Sequence, residues 1–421
     1  MTDRIILHCD LNNFYASAEC VMNPALHNYP VAVAGNPKIR HGVILAKNQL
    51  AKEKGIKTGQ VIWEAKLLCP NLICLPPQMS KYQEFSRQVI EIYKRFTDKI
   101  ESFGPDECWL DVTHSQKLFG TGEQIANTIR ETVKNEIGLT LSVGVSFNKY
   151  FAKLGSDMRK PDATTVINRQ NYENLIYKMP ADSLIFIGKR TYQKLQKLNI
   201  HTIRDLAQAD PILLTNHFGI IGKKMSVIAR GEDDSDIADI NDTHIVKSVG
   251  NGFTTIRDIH TRDEIYTAVL LLAEKVAFRM RKINVMGKTI NLGLKTNELH
   301  WDSHSMTILN PTNTALEIAN YAMQIFDKYW SNITLNIRSV RVSVSQITTN
   351  TTTTQTTLFE DAKMQKLKKL NTTLDKIRDK HGYYAVRPAK TINSDFINYF
   401  DSSKDLGEDY ELYDLDEYFK E

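Results

Sequence analysis

Phe103-Gly-Pro-Asp-Glu-Cys-Trp-Leu-Asp111 sets two adjacent carboxylates, Asp106 and Glu107, at the mouth of an apolar, aromatic run that reads as a β-strand. Neighbouring side chains of a regular strand point to opposite faces, so such a pair can share one ligand only at a strand end or in a turn. Gly104 and Pro105 supply the turn. Carboxylates this close repel each other, and a buried pair protonates unless a cation neutralises it. Oxygen donors of this kind suit Mg²⁺ or Mn²⁺ rather than zinc. The dipeptide equally suits a plain solvated turn, so the rest of the chain has to decide.

Upstream, Ile5 to Asp10 is a compact apolar strand ending in a third carboxylate, followed by Leu-Asn-Asn-Phe-Tyr-Ala-Ser-Ala-Glu, where a helix opens at Asn12 or Asn13 with asparagine as N-cap. A strand-end acid beside free helix N–H groups can hold a metal together with a phosphate, although Asp10 could also simply cap the helix. Residues 31–77 read as a small basic subdomain: strands at Val31–Ala34 and Val43–Ala46, then an Ala/Lys-rich helix from Asn48 to Lys54. Helices follow at Ser80–Thr97 and Gly122–Ile137, a buried strand at Leu141–Ser146, and a helix from Asn148 to Arg159 that stops at Lys160-Pro161. This alternation implies an α/β sheet with helices on one side.

Tyr172 to Gly231 is helical. Ile187-Gly188-Lys189-Arg190 and Ile221-Gly222-Lys223-Lys224 each suggest a glycine turn and two cations between helices, a pattern resembling helix-hairpin-helix phosphate grips. An acidic, aperiodic linker leads to a β-α-β-β-α-β order between Val246 and Ser345, decorated by Arg257, Arg279, Arg281, Lys282, Lys288, Arg338 and Arg341, which together predict a basic sheet face. Thr348 to Thr357 is nearly all threonine and reads as a tether; a basic helix (Ala362–Lys380) and an acidic, Tyr-rich tail come after it.

The chain has 421 residues, enough for about three domains, and carries 53 basic side chains against 49 acidic ones. The last 27 residues, Asp395 to Glu421, hold ten acids and two bases, so the remainder carries a formal +12, which favours a polyanionic partner. Five cysteines without a CxxC spacing point to neither a disulfide framework nor a zinc site. With no signal-like or membrane-spanning apolar run, a cytoplasmic location is expected.

Four motifs now stand in order: Asp10 with Asn13-Phe14-Tyr15 and Glu19; Asp106-Glu107; Ser146-Phe-Asn-Lys149 through Asp157-Met158-Arg159-Lys160-Pro161; and Lys247-Ser-Val-Gly-Asn251. Together they resemble the Y-family, or translesion, DNA polymerases, most closely the DNA polymerase IV (DinB-like) branch, over about Arg4 to Phe359. The resemblance implies an α+β, multidomain right-hand fold: palm at 1–30 and 78–170, fingers at 31–77, a helical thumb with helix-hairpin-helix elements at 171–232, a linker at 233–245, a ferredoxin-like little finger at 246–346 and a flexible tail at 347–421.

It further implies that Asp10, Asp106 and Glu107, with the carbonyl of Leu11, hold two Mg²⁺ ions, for which Mn²⁺ can substitute. Tyr15 matches the steric gate against a 2′-hydroxyl. Lys52, Lys160 and the amides of Asn13, Phe14 and Tyr15 match triphosphate contacts. Gln49 stands where a tyrosine is usual and ranks below the two lysines, while Lys52 replaces a frequent arginine. Lys189, Arg190, Lys223, Lys224, Arg257 and Arg341 are the expected DNA contacts; Phe186 stands in the first hairpin where a glycine is expected. Gln355, Leu358 and Phe359 resemble a sliding-clamp docking peptide.

The implied activity is distributive, template-directed DNA synthesis past damaged bases without proofreading, by a monomer acting on primer–template DNA and deoxynucleoside triphosphates, with no membrane partner. Two rivals share parts of this pattern. A polymerase-fold subunit active only with partner proteins (UmuC-like) would bind DNA without extending it. A palm-type nucleotidyl cyclase would have no use for phosphate grips or a clamp peptide.

Overall fold

The computed structural model describes residues 4–36, 42–240, 242, 245–331, 336–349 and 362–392. The chain divides into two compact units, one up to Asp242 and one from Thr243.

The first unit runs β1 (Ile6–Leu11), α1 (Phe14–Met22), β2 (Val31–Ala34), β3 (Ile44–Lys47), α2 (Gln49–Glu53), α3 (Ile62–Leu68), β4 (Ile73–Leu75), α4 (Met79–Tyr93), β5 (Ile100–Ser102), β6 (Glu107–Asp111), α5 (Gln116–Phe119), α6 (Gly122–Ile137), β7 (Leu141–Ser146), α7 (Lys149–Met158) and β8 (Thr164–Ile167). Its main sheet has the order β5-β6-β1-β7-β8; a three-stranded sheet, β3-β2-β4, forms from the segment between α1 and α4.

β1 is buried on both faces, as a central strand must be. Leu7, Cys9 and Leu11 pack with Tyr82, Val89 and Ile92 of α4 and Ile125, Ile129 and Val133 of α6. The opposite face carries Ile6, which meets Trp109 and Ala152 of α7. Helices therefore cover both sides of this sheet, not one. The reason lies in Gly144 on β7, where an added Cβ would stand 1.9 Å from the Ala152 carbonyl oxygen. Without a side chain there, α7 lies directly on the strand.

The expected N-cap at the start of α1 takes a different form. Asn13 holds the position with φ 53°, in the left-handed region that asparagine tolerates, and its side chain makes no capping bond. By contrast Asn148 caps α7 through its side chain, accepting from Phe151 N–H.

Five further helices complete the unit: α8 (Tyr172–Ile176), α9 (Lys189–Lys197), α10 (Ile203–Gln208), α11 (Pro211–Phe218) and α12 (Ile220–Ala229). They share one apolar core, including Ile187, Leu195, Leu206, Leu214 and Met225.

The second unit is β9 (Ser248–Ile259), α13 (Arg262–Lys282), β10 (Val285–Thr296), β11 (Trp301–Thr312), α14 (Ala315–Tyr329) and β12 (Ile337–Thr349), with sheet order β11-β10-β12-β9 and every pairing antiparallel. Each crossover helix thus joins strands separated by one other, the split βαβ pattern. A further helix, α15 (Ala362–His381), returns to α13. There Asp375 forms a bidentate pair with Arg281 (2.6 and 2.7 Å), Arg378 meets Glu274 (2.8 Å), and Tyr383 lies against Phe278. Among the described residues no helix is long and apolar enough to cross a membrane.

Candidate active site

β1 and β6 pair antiparallel so that Asp10 stands opposite Glu107, and the Leu11 amide donates to the Asp106 carbonyl at 3.0 Å. Asp106 lies in the β5–β6 turn and Glu107 opens the strand, with Gly104 at φ 101°, a conformation that favours glycine. The three carboxylates, distant in sequence, therefore meet at one end of the central sheet. Burial, followed by repulsion from Asp10 and Glu107, pushes the Asp106 carboxyl up to about 7.

Two ammonium groups occupy this acidic corner. Lys153 Nζ lies 3.1 Å from Asp10 Oδ2, 2.9 Å from Glu107 Oε2 and 3.4 Å from Asp157 Oδ2. Lys160 Nζ lies 2.7 Å from Asp10 Oδ2 and 2.8 Å from Asp157 Oδ1. Burial alone would make each lysine easier to deprotonate, yet the surrounding carboxylates raise both above the ordinary lysine range. These lysines depress Asp157 in turn, against its own burial. The corner thus demands positive charge, and its oxygen donors fit a hard divalent cation.

His8, two residues before Asp10 and on the same strand face, is fully buried, with Nε2 3.3 Å from Glu107 Oε2 and Nδ1 2.9 Å from Ser156 Oγ. Burial, then the Lys153 charge, holds its pKa well below the usual histidine value. The ligand atoms of His8, Asp10 and Glu107 lie within 4.8 Å of one another. Sequence reading missed both His8 and Lys153. The signals were the i, i+2 spacing of His8 with Asp10 on a strand and the i, i+4 spacing of Lys153 with Asp157 on a helix.

Tyr15 stacks on Tyr82, ring centroids 4.4 Å apart at 13°, beside Phe14. The Tyr82 hydroxyl donates to Glu19 Oε1 at 2.6 Å, and Gln78 donates to the same carboxylate, so the platform under Tyr15 is pinned. Lys52 projects from α2 into solvent, while the Gln49 amide donates to Glu53 at 3.0 Å.

In the helical segment, Lys189 and Arg190 are exposed at the start of α9, directly after Gly188. Phe186 has φ 72°, so the position matched to glycine does take the left-handed conformation. The second Gly-Lys element differs from expectation. Gly222 is no turn residue: it lies inside α12, where a Cβ would stand 2.1 Å from the Leu214 carbonyl oxygen, and the turn is made by Gly219 at φ 64°. Lys223 is exposed, whereas Lys224 is half-buried beside Phe186 and Ile221.

The basic sheet face of the second unit also needs correction. Arg257 pairs with Glu264 at 2.6 Å, Arg281 with Asp375, and Arg279 donates to the Gly250 carbonyl at 2.9 Å. Arg341 is exposed on β12, flanked in register by Gly252 on β9 and Gly293 on β10. Its surroundings on that face include Ser339, Ser343, Asn291 and Thr254, small and polar, with Lys295 opposite Ser339 as a second cation. Gln355, Leu358 and Phe359 lie outside the described residues.

The mostly antiparallel five-stranded sheet with an acidic end, the helical segment and the split βαβ unit make up a fold of the Y-family type. A Y-family DNA polymerase chimera superposes with a TM-score of 0.72 at 22% identity, covering 82% of this chain and all of that one. The impB/mucB/samB family model matches residues 9–157, and that family's C-terminal domain matches 246–358. The DNA polymerase IV of Acetivibrio thermocellus is 44% identical over 386 residues, 91% of this chain and 96% of that one. That of Moorella thermoacetica is 34% identical over 399 residues, 94% and 98% of the two chains. The chain belongs to the impB/mucB/samB family.

Proposed function

We propose that this chain is a template-directed DNA polymerase of the translesion type, extending primer–template DNA with deoxynucleoside triphosphates. Asp10, Asp106 and Glu107, with the Leu11 carbonyl, are its ligands for a pair of Mg²⁺ ions, which Mn²⁺ can replace. The observation that supports this reading is the convergence of three carboxylates, from β1, the β5–β6 turn and the start of β6, at a corner where two lysines now answer part of their charge. Bound divalent ions would stabilise the attacking and leaving oxygens of phosphoryl transfer.

The chain's own residues supply binding and orientation. Lys160 and Lys52, with the amides of Asn13, Phe14 and Tyr15, receive the triphosphate, and Gln49 adds a lesser contact. Tyr15, held flat by Tyr82, closes the space a ribose 2′-hydroxyl would need. We assign the palm to 1–30 and 78–170, fingers to 31–77, thumb to 171–232, linker to 233–245 and little finger to 246–346. The thumb grips backbone phosphates through Lys189, Arg190, Lys223 and Lys224, and Arg341 and Arg257 add contacts from the little finger. Gln355, Leu358 and Phe359 dock a sliding clamp, raising the effective concentration at the primer end of a monomeric, cytoplasmic enzyme with a weak grip on DNA.

The test is primer extension on undamaged and abasic templates. Asp106→Ala and Glu107→Ala should each reduce extension by about 10³-fold or more while leaving DNA binding intact. Extension at the parent rate by either variant overturns the assignment.

A further inference from the structure

We propose that the cleft between α13 and the turn after α15 is an anion site, filled by a carboxylate of the chain's own segment Asp395-Phe-Ile-Asn-Tyr-Phe-Asp401. The inference stands apart from the metal-site reading and concerns the second unit alone.

Counting the donors of one arginine carries the argument. Arg378 is 3% exposed. Its Nε donates to the Val386 carbonyl at 3.3 Å, and its Nη2 donates to Glu274 Oε2 at 2.8 Å and to the same carbonyl at 3.1 Å. A guanidinium has five N–H groups, so with those three spent the two on Nη1 are left. That nitrogen is buried and makes no hydrogen bond. On the far side of the turn, Arg387 carries a second Nη1 in the same condition. Both arginines line one cleft, whose walls include Leu271, Tyr384, Val386 and Pro388. Lys275 lines it as well and Glu274 is its one acid, so three cations face a single carboxylate.

A buried guanidinium N–H without an acceptor is costly, and an anion with two acceptor oxygens answers such donors best. The neighbouring acids are already engaged: Glu274 with Arg378, Asp375 with Arg281 and Asp263 with Lys390. The described chain ends at Ile392, and the next acid, Asp395, follows three residues later. From there to Asp401 the sequence offers two carboxylates, no base, and Phe396, Tyr399 and Phe400 to meet the apolar walls. Being attached to the domain, this segment has an effective concentration on the order of millimolar, enough to hold a site that a free anion fills weakly.

The experiment compares the full chain with a chain ending at Ile392, by calorimetric titration with a synthetic peptide of residues 393–404 and, separately, with inorganic phosphate. We expect the shortened chain to bind the peptide, and the full chain to bind it at least about ten-fold more weakly because its own segment competes. Arg387→Gln in the shortened chain, or Asp395→Asn with Asp401→Asn in the peptide, should each weaken binding by about ten-fold. If circular dichroism shows the shortened chain misfolded, the full chain carrying Asp395→Asn and Asp401→Asn takes its place and should bind the peptide more tightly than the parent does. Equal peptide binding by the two chains overturns the segment as occupant, and so does binding of phosphate without the peptide. Peptide binding that Arg387→Gln leaves unchanged places the contact elsewhere and overturns the site. Binding of neither ligand means that water alone meets the two arginines, and overturns it too.

Discussion

Lys160 Nζ lies 2.7 Å from Asp10 Oδ2, so a side chain proposed to meet the triphosphate is, without nucleotide, the counter-ion of a carboxylate proposed to hold metal. Lys153 stands beside it in the same role. Lys153 lies on α7 and Lys160 just beyond it, whereas Asp10 and Glu107 lie on β1 and β6. On the proposed metal site, cation entry and lysine release would be two sides of one exchange.

Replacing Lys153 by Met leaves Asp10 and Glu107 short of compensating charge at a mostly buried position. With Lys160 still present, we expect a loss of about 2 kcal/mol of unfolding free energy in chelator. Millimolar Mg²⁺ should close the gap to the parent. Denaturant unfolding of both chains with and without the ion measures it, and a gap of equal size in the two conditions would show that Lys153 is not a stand-in cation.

Asp106 gives the metal-free protein a pH dependence of definite sign. Its folded-state pKa, about 7, lies above the value of an unfolded aspartate, so its contribution is complete at low pH, where both states are protonated. As pH rises from about 4 towards 7 the unfolded chain ionises first and that stability is lost, on the order of 2 kcal/mol after allowing for solvent screening at a partly buried side chain. Asp106→Asn should flatten this part of the stability–pH curve in chelator. A slope identical to the parent's refutes the raised pKa.

Tyr15→Ala removes the ring stacked on Tyr82. We expect ribonucleotide incorporation to rise by about 10-fold or more relative to deoxynucleotide, roughly 1.4 kcal/mol of lost discrimination. Single-nucleotide insertion with matched ribo- and deoxyribonucleotides reads the ratio, and an unchanged ratio removes the gate role.

Lys189→Ala combined with Arg190→Ala should weaken DNA binding evenly across sequences and lower the slope of log affinity against log salt by about 2. Fluorescence anisotropy over a salt series provides the slope. A sequence-dependent loss at constant slope would mean that these residues do not grip phosphates.

How much of this was legible in the sequence varies with how local the cause is. β1, β6 and α7 follow from short apolar runs and a capping asparagine, and the three carboxylates were legible as motif members. Their meeting was legible only through the family resemblance, because the Asp10–Glu107 register is set by pairing between strands some hundred positions apart. Gly222 shows a local rule overridden: the sequence suggests a turn, but two helices need the space its missing side chain leaves, and Gly219 makes the turn instead. The arginines of the second unit counted as a basic face until their partners, Glu264 and Asp375, proved to lie beside them in space. Charge counting sees cations; it cannot see which are already spoken for.

α15 alters what the threonine-rich stretch can do. β12 ends at Thr349, and the helix that begins at Ala362 is fastened to α13 through Asp375 and Arg378. The peptide proposed to dock a clamp, 355–359, therefore falls in sequence between two anchored elements of one domain and not on a loose end.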